Sequence, residues 1–336
     1  MKKRDLASLK MDELKVLMEE LNEKSFRGVQ IFHWIHQKNV DSIDEMTNLS
    51  KELREKIKSH FELNTLKIEE KYTSNIDKTT KYLFALKDNN IIESVLMHYS
   101  YGNTACISSQ VGCRMGCAFC ASTLDGLIRN LTAGEMLEQV YQIQKDSKEK
   151  VSNIVIMGSG EPLDNLDNIL LFIELINSPE GQNIGQRHIT LSTCGLVDKM
   201  YDLAGKKLQI TLAVSLHAPN DAIRRKMMPI AKRYSIDELL VACRHYIEVT
   251  NRRITFEYAL IDRVNDKKEH ARELGEKLKG MLCHVNLIPM NPVKESIFKE
   301  STSNSVKDFL DILQSYGIQT TVRRKLGSDI DAACGQ

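Results

Sequence analysis

From about residue 103 onward the sequence alternates short apolar runs of strand character with amphipathic stretches of helical period, and this alternation limits the fold more than any other feature. Strands are expected near 104–109, 152–158, 187–193, 209–217, 253–261 and 284–290, with a weaker one near 318–323. Helices fill the gaps, and three of them are expected to start at capping boxes: Thr132 with Glu135, Ser235 with Glu238, and Asp266 with Glu269. Six or more such units in a row imply a parallel sheet, either doubly wound or curled into a full or partial barrel. No Gly-rich phosphate fingerprint follows the first strand, so a barrel-like arrangement is expected rather than a dinucleotide fold.

The preceding hundred residues read differently. Residues 1–62 carry three helical patterns, M-D-E-L-K-V-L-M-E-E-L, F-R-G-V-Q-I-F-H-W-I-H-Q and K-E-L-R-E-K-I-K-S-H-F, with apolar residues three and four apart. Trp34, beside Ile31 and Ile35, is expected to anchor their core. In residues 63–102 the period falls to two over L-K-I-E-E-K-Y, T-K-Y-L-F-A-L and I-I-E-S-V-L-M-H-Y, the pattern of an antiparallel meander. Glu93 lies in its last strand and by pattern alone reads as solvent-facing. Residues 103–336 then form the main α/β unit.

A formal net charge of +1 gives no bulk signal for a nucleic-acid partner, so such a partner must be sought in local clusters. The basic N-terminus has no apolar run behind it and no segment is long enough to span a bilayer, which reads as a soluble, cytoplasmic protein with no membrane partner.

In α/β folds ligands bind at the carboxyl ends of the strands, and here those ends are polar or Gly-rich. They are Gly158-Ser159-Gly160-Glu161-Pro162, Leu191-Ser192-Thr193, Ser215-Leu216-His217 and Pro289-Met290-Asn291-Pro292. The stretch Cys113-R-M-G-Cys117-A-F-Cys120 follows the first strand in the same way. Of eight cysteines, four (Cys106, Cys113, Cys117, Cys120) crowd into fifteen positions, which in a reducing compartment points to metal binding or redox chemistry; Cys194, Cys243 and Cys283 read as packing residues. The triplet admits three readings. A structural zinc site wants a fourth ligand that no nearby Cys or His supplies. A dithiol pair of Cys117 and Cys120 leaves Cys113 unused. An iron-sulfur cube on three thiolates leaves one iron open and accounts for all three.

The spacing C-x-x-x-C-x-x-C with Phe119 before the last cysteine resembles the cluster loop of the radical S-adenosylmethionine (SAM) enzymes. The further blocks C-I-S-S-Q-V-G-C, G-x-G-E-P-L, V-S-L-H-A-P-N, H-V-N-L-I-P-M-N-P and G-S-D-I-D-A-A-C-G-Q, with the N-terminal F-R-G-V-Q-I-F-H-W-I and D-E-M-T-N-L-S-K-E-L-R, resemble the RlmN/Cfr family of RNA methyltransferases over essentially the whole chain. The resemblance implies a partial (β/α)6 radical-SAM barrel with an N-terminal helical accessory domain and a small antiparallel β extension. It also implies one 4Fe-4S cluster on Cys113, Cys117 and Cys120. SAM, two molecules per turnover, would be contacted by Gly160, Glu161, Ser192, Ser215, Leu216, His217 and Asn291. Ser159 and Cys194 depart from the family's usual residues without affecting those backbone contacts.

Carbon 2 of adenine is not nucleophilic, so direct methyl transfer from a sulfonium fails there, and the family's solution is implied for this chain. Cys334 carries the methyl group as S-methylcysteine, a deoxyadenosyl radical activates it, and Glu93 accepts the proton. Cys106 then resolves the RNA–protein thioether with a transient Cys106–Cys334 disulfide. The implied partners are 23S ribosomal RNA, transfer RNA and an electron donor such as flavodoxin or ferredoxin, acting on a monomer. Arg224-Arg225-Lys226, Lys232-Arg233, Arg252-Arg253 and Arg323-Arg324-Lys325 are the candidate phosphate contacts. Two rival readings stand beside this one: C8 methylation of the same ribosomal adenine as in Cfr, conferring antibiotic resistance, and a non-enzymatic iron-sulfur or zinc RNA-binding protein. The G-E-P-L block and the N-terminal match favour C2.

Overall fold

The computed structural model describes residues 3–289 and 298–332. Two-residue strands β1 (Arg4–Asp5) and β2 (Phe61–Glu62) pair in parallel and bracket helices α1 (Met11–Glu20), α2 (Phe26–His36) and α3 (Lys51–His60), close to the expected positions. Gly28 explains how tightly α1 and α2 pack: a Cβ there would stand 2.6 Å from the backbone of Leu14 and Lys15. Ile31, Phe32 and Ile35 fill the buried stripe of α2. Trp34 packs against the edge of this core without being enclosed by it. It is half-exposed, its indole N–H donates to Asn48 Oδ1 at 2.6 Å, and the Lys38 ammonium lies 3.5 Å from the ring centroid. The indole has a polar edge that a dry core would leave unpaired, and the neighbouring aliphatic positions fill the core without that cost.

Next come β3 (Lys67–Thr73), β4 (Thr80–Ala85) and β5 (Ile91–Tyr99), an antiparallel meander as the period of two predicts. It is no detached unit, because β5 pairs antiparallel with β6 (Gly102–Ile107) and continues the main sheet. A short hairpin, β7 (Gln110–Gly112) and β8 (Leu127–Asn130), follows β6. The chain then alternates through α4 (Ala133–Ser147), β9 (Val151–Ile156), α5 (Leu166–Asn177), β10 (Ile189–Thr193), α6 (Val197–Gly205), β11 (Thr211–Ser215), α7 (Asp221–Met227), α8 (Ile236–Thr250), β12 (Ile254–Leu260), α9 (Lys268–Leu278), β13 (Cys283–Pro289), α10 (Ser303–Ser315) and β14 (Gln319–Val322).

The ten-stranded sheet runs β14-β13-β12-β11-β10-β9-β6-β5-β4-β3, and β6 and β9 through β14 are parallel neighbours in chain order. A doubly wound sheet reverses its order at a switch point; this one never does, so it curls as a partial barrel and delivers every carboxyl end to one rim. One face of the parallel strands is fully enclosed, through Ile154, Leu191, Leu212, Val214, Phe256 and Val285, and the other carries cavity residues such as Ser192 and Glu257.

The capping boxes of α4 and α8 form as expected, with Glu135 N–H bonded to Thr132 Oγ1 at 3.1 Å and Glu238 N–H to Ser235 Oγ at 3.2 Å. The one expected at Asp266 does not. Asp266 Oδ1 accepts the N–H of Arg263 at 3.0 Å, inside a turn that Asn265 pins to Ile261, Ala259 and His217, so α9 starts after Lys267 instead. Tertiary bonds to Asn265 outweigh the local cap signal. Among the described residues no helix is long and apolar enough to cross a membrane.

Replacing Gly28 with Ala improves helix propensity by about 1 kcal/mol yet forces α1 and α2 apart. The expected net result is a loss of about 1–3 kcal/mol of stability, read as a lower midpoint of chemical denaturation; an unchanged or higher midpoint would contradict the packing.

Candidate functional site

The rim is assembled by a buried polar segment, Ser108-Ser109-Gln110, that leaves β6 almost without exposure. Its backbone would be orphaned there; the side chains of Gln139 and Asn165 satisfy part of it and the Ser159 carbonyl accepts the N–H groups of Ser109 and Gln110. Gln139 of α4 accepts the Ser108 N–H at 2.8 Å and donates to the Ser108 carbonyl at 3.0 Å. Asn165 donates to the carbonyls of Ser109 and Leu131 at 2.9 and 2.8 Å. The Ser108 hydroxyl donates to the Glu93 carbonyl at 2.6 Å and accepts the Ser159 N–H at 2.9 Å. Gln110 Oε1 accepts the Glu161 N–H at 2.8 Å. Gly160, at φ +109°, must be glycine, since a Cβ would meet Gln110 Cβ at 2.6 Å and Ser109 Oγ at 2.7 Å.

Cys113 follows β7, and its N–H donates to the Gly126 carbonyl at 2.9 Å, closing the hairpin on the cysteine loop. Ala118 N–H bonds the Met227 carbonyl at 2.8 Å, and Thr123 Oγ1 donates to the Cys120 carbonyl at 2.9 Å. Burial pushes the Cys113 thiol up to about 11 and the Cys117 thiol up to about 12, so each ionises near neutrality only when a cation offsets its desolvation. The three thiols of Cys113, Cys117 and Cys120 on one wall, with Phe119 between two of them, fit a metal centre. Among the described residues no three His, Cys, Asp or Glu side chains stand close enough to share a single ion, and a four-iron cluster, which gives each thiolate its own iron, does not ask them to.

These thiols face a cavity of about 560 Å³. It is also lined by Gly160, Glu161, Ser192, Ser215 and His217, and on the far wall by Glu93, Cys106 and Arg323. Glu161 is buried, accepting the N–H groups of Cys194 at 2.7 Å and Leu163 at 3.1 Å, and burial raises its pKa. His217 takes the left-handed conformation at φ +56°, and its Nδ1 accepts the Ala259 N–H at 2.9 Å. An amide only donates, so Nδ1 is bare and Nε2 carries the proton. Burial, helped by Arg224, lowers the His217 pKa to about 3, and the ring stays neutral with its edge against Phe119 at 4.9 Å. Leu216 alone of the expected residues in this part of the chain does not reach the cavity. Its side chain is fully buried, its N–H donates to the Glu257 carbonyl and its carbonyl accepts from Arg224. Asn291 and Cys334 lie outside the described residues.

Glu93 is half-buried. Burial chiefly raises its pKa, Lys81 at 3.9 Å opposes that rise, and Asp331 adds to it. Cys106 belongs to a small apolar patch with Val95, Met97 and Leu326, against which Ala332 packs. The cysteines expected to be structural, Cys194, Cys243 and Cys283, are all buried, although Cys194 also lines the cavity, and no disulfide joins two of the described cysteines.

Two residues at the site contradict or escape the sequence reading. Arg224, expected to meet phosphate, is fully buried and donates to the carbonyls of Cys194 at 2.7 Å and of Ser215 and Leu216 at 3.3 Å each. It ties the ends of β10 and β11 together, because three freed carbonyls there outcompete solvent for its planar fork of donors. Glu257 on β12 is a buried carboxylate lining the cavity, with Asn286 donating to it at 2.9 Å and the Arg323 guanidinium facing it as an ion pair at 4.0 Å. Its burial raises its pKa. The clue was a lone charge inside the apolar run I-T-F-E-Y-A-L.

Comparison with known proteins adds an independent line. Residues 4–63 match the ribosomal RNA large subunit methyltransferase N-terminal domain, and residues 107–275 match the radical SAM superfamily. The chain is 55% identical over 333 residues to the probable dual-specificity RNA methyltransferase RlmN of Clostridium novyi (strain NT), covering 99% of this chain and 97% of that one. It is 57% identical over 336 residues to the protein of the same description from Alkaliphilus oremlandii (strain OhILAs), covering 100% and 98%. A crystal structure of a radical SAM methyltransferase from Sphaerobacter thermophilus superposes with a TM-score of 0.95 at 43% identity, covering 99% and 98% of the two chains.

The His217 geometry is testable by substitution. His217→Phe strands the Ala259 N–H in a strained backbone position and is expected to cost about 1–3 kcal/mol in denaturant unfolding. His217→Asn, which tolerates positive φ and keeps an acceptor, is expected to cost clearly less. Equal losses would contradict the assigned bond.

Proposed function

The chain belongs to the RlmN family of dual-specificity RNA methyltransferases within the radical SAM superfamily, and on that premise we propose that it methylates carbon 2 of adenine in 23S ribosomal RNA and transfer RNA through a methylated Cys334. The observation that carries this reading is that one cavity brings the three-thiol loop opposite Cys106 and Glu93, with Ala332 packed on the Cys106 patch. Ala332, the last described residue, stands two positions before Cys334 in the sequence.

Cys113, Cys117 and Cys120 would hold the 4Fe-4S cluster, and Gly160, Glu161, Ser192, Ser215 and His217, with Asn291, would bind SAM. When bound, the cluster supplies the electron that opens the SAM sulfonium to a deoxyadenosyl radical. Glu161 is suited to orient a cation, since its carboxylate is fixed by backbone donors and excluded from water. His217 offers a neutral Nε2–H, a donor that does not repel a sulfonium. The Cys334 thiolate takes the methyl group of one SAM, and its S-methyl carbon, after losing a hydrogen, bonds to the adenine ring. Glu93 accepts the ring proton as the adduct passes its unpaired electron back to the one-electron carrier, a flavodoxin or ferredoxin; the raised proton affinity of Glu93 suits a base. Cys106 sulfur then attacks Cys334 sulfur, the sulfur–carbon bond breaks, and the carbon takes a proton to become the methyl group. The resulting Cys106–Cys334 disulfide is reduced before the next turnover by an external thiol. The adenine must leave its stack to enter the cavity, and Arg324 and Lys325, which line a smaller groove beside it, would meet the backbone, Lys325 exchanging its ion pair with Glu300 for phosphate. A flavodoxin or ferredoxin donor, a monomer and a cytoplasmic setting complete the reading.

The deciding experiment incubates the anaerobically reconstituted protein with SAM, a reductant and either ribosomal or transfer RNA, then identifies the methylated nucleoside by mass spectrometry. 2-Methyladenosine from both RNAs is expected, and none from Cys334→Ala protein that still shows the cluster's absorbance. 8-Methyladenosine would overturn the position assigned, and no product from a protein with a reducible cluster would favour an RNA-binding role.

A further inference from the structure

Lys81 occupies a place that the reaction as read above does not use. It lies on β4 in register with Val95 of β5, which is itself in register with Cys106 of β6, so the three residues form one row across the sheet. Glu93, two residues before Val95, shares that face. The opposite face of β4, with Tyr82 and Phe84, packs into the main core. Only 13% of the Lys81 side chain is exposed. Its ammonium stands 3.0 Å from the carbonyl of Asp331, 3.9 Å from Glu93 Oε2 and 5.5 Å from the Tyr72 ring centroid. The segment that reaches Asp331 is fastened to the same hairpin at two more points: Gly327 N–H donates to Asp77 at 2.8 Å, and Asn75 N–H donates to Asp329 at 3.0 Å. Leu326 and Ala332 pack at its two ends on the Cys106 patch.

We propose that Lys81 is a positioning residue that ties the seating of the C-terminal segment to the carboxylate of Glu93. One ammonium serves two clients. With the segment docked, it donates to the Asp331 carbonyl while remaining the cation nearest Glu93 from the neighbouring strand, and the Asp331 carboxylate stands near the same site. With the segment displaced, Asp331 leaves and Lys81 turns wholly to Glu93. The charge around Glu93 therefore depends on whether the segment that leads to Cys334 is in place, and the base is most avid for a proton when it is. The other charged or titratable groups facing that space are Cys106 on β6, Glu257 on β12 and Arg323 beyond β14, which line the same cavity. The role of this coupling in turnover rests on the reading of Glu93 and Cys334 given above; the coupling itself does not.

The test uses the reconstituted full chain and two readouts independent of activity: amide hydrogen exchange over residues 327–332, and the titration midpoint of the Glu93 carboxyl followed by carbon-13 NMR, assigned with Glu93→Gln. Lys81→Met is expected to speed exchange about tenfold, the factor that one charge-assisted hydrogen bond is worth, and to raise the Glu93 midpoint by removing its cation. Lys81→Arg is expected to restore both. Asp77→Ala, which releases Gly327 without touching Lys81, is expected to speed exchange and lower the midpoint, because Asp331 moves off while Lys81 stays. Wild-type exchange in Lys81→Met, or a midpoint unmoved by Lys81→Met and Asp77→Ala, would overturn the proposal. Turnover surviving in Glu93→Gln would instead remove Glu93 from the chemistry and leave both readouts standing.

Discussion

At the carboxyl end of each parallel strand the ladder stops, and its last amides and carbonyls must find new partners or be paid for in desolvation. The whole site depends on how this is done. Gln139, Asn165 and the Ser108 hydroxyl satisfy the end of β6, and Gln110 and Glu161 join that end to the turn after β9. Arg224 takes up the carbonyls beyond β10 and β11, and Asn265 does the same between His217 and β12. Backbone carbonyls complete the set, that of Ser159 accepting from Ser109 and Gln110 and that of Glu257 from Leu216 and His217. What remains between these fastenings is the cavity.

The same burial sets the charge state of what faces the cavity. Cys113 and Cys117 are held as neutral thiols unless a metal compensates them, His217 is held neutral, and Glu93 and Glu257 are pushed toward protonation. Such a site suits radical chemistry in one respect: few groups in it are free to trade protons with water before the intended step. Arg323 on its wall faces Glu257 at 4.0 Å, and Arg224 and Lys81 nearby are taken up by carbonyl oxygens and by Glu93.

Much of this was legible before the fold was seen. The periods of two and 3.6 placed the strands and helices within a few residues, and the consecutive parallel order followed from the regular alternation. The cysteine triplet, Gly160, Glu161, Ser192, Ser215 and His217 were found because strand ends are where ligands bind, and all reach the cavity. What escaped shares one cause, dependence on partners distant in sequence. Arg224 looked like a solvated charge because its acceptors come from two other strand ends. Asp266 looked like a cap because Asn265 had not yet been placed. Lys81 was one residue of an alternating strand until a carbonyl 250 positions away was found beside it. Leu216 was misjudged by proximity: in Ser215-Leu216-His217 the flanking side chains face the cavity and the middle one faces the core.

The central claim is that one cavity serves both a radical-generating cluster and a thiol that carries the methyl group. It is tested most directly by the fate of the methyl hydrogens. With SAM bearing a fully deuterated methyl group, a methyl carried on Cys334, stripped of one deuterium and closed by a proton from solvent must arrive on the RNA with two deuterium atoms. Transfer straight from the sulfonium would deliver all three, and that result would contradict the account.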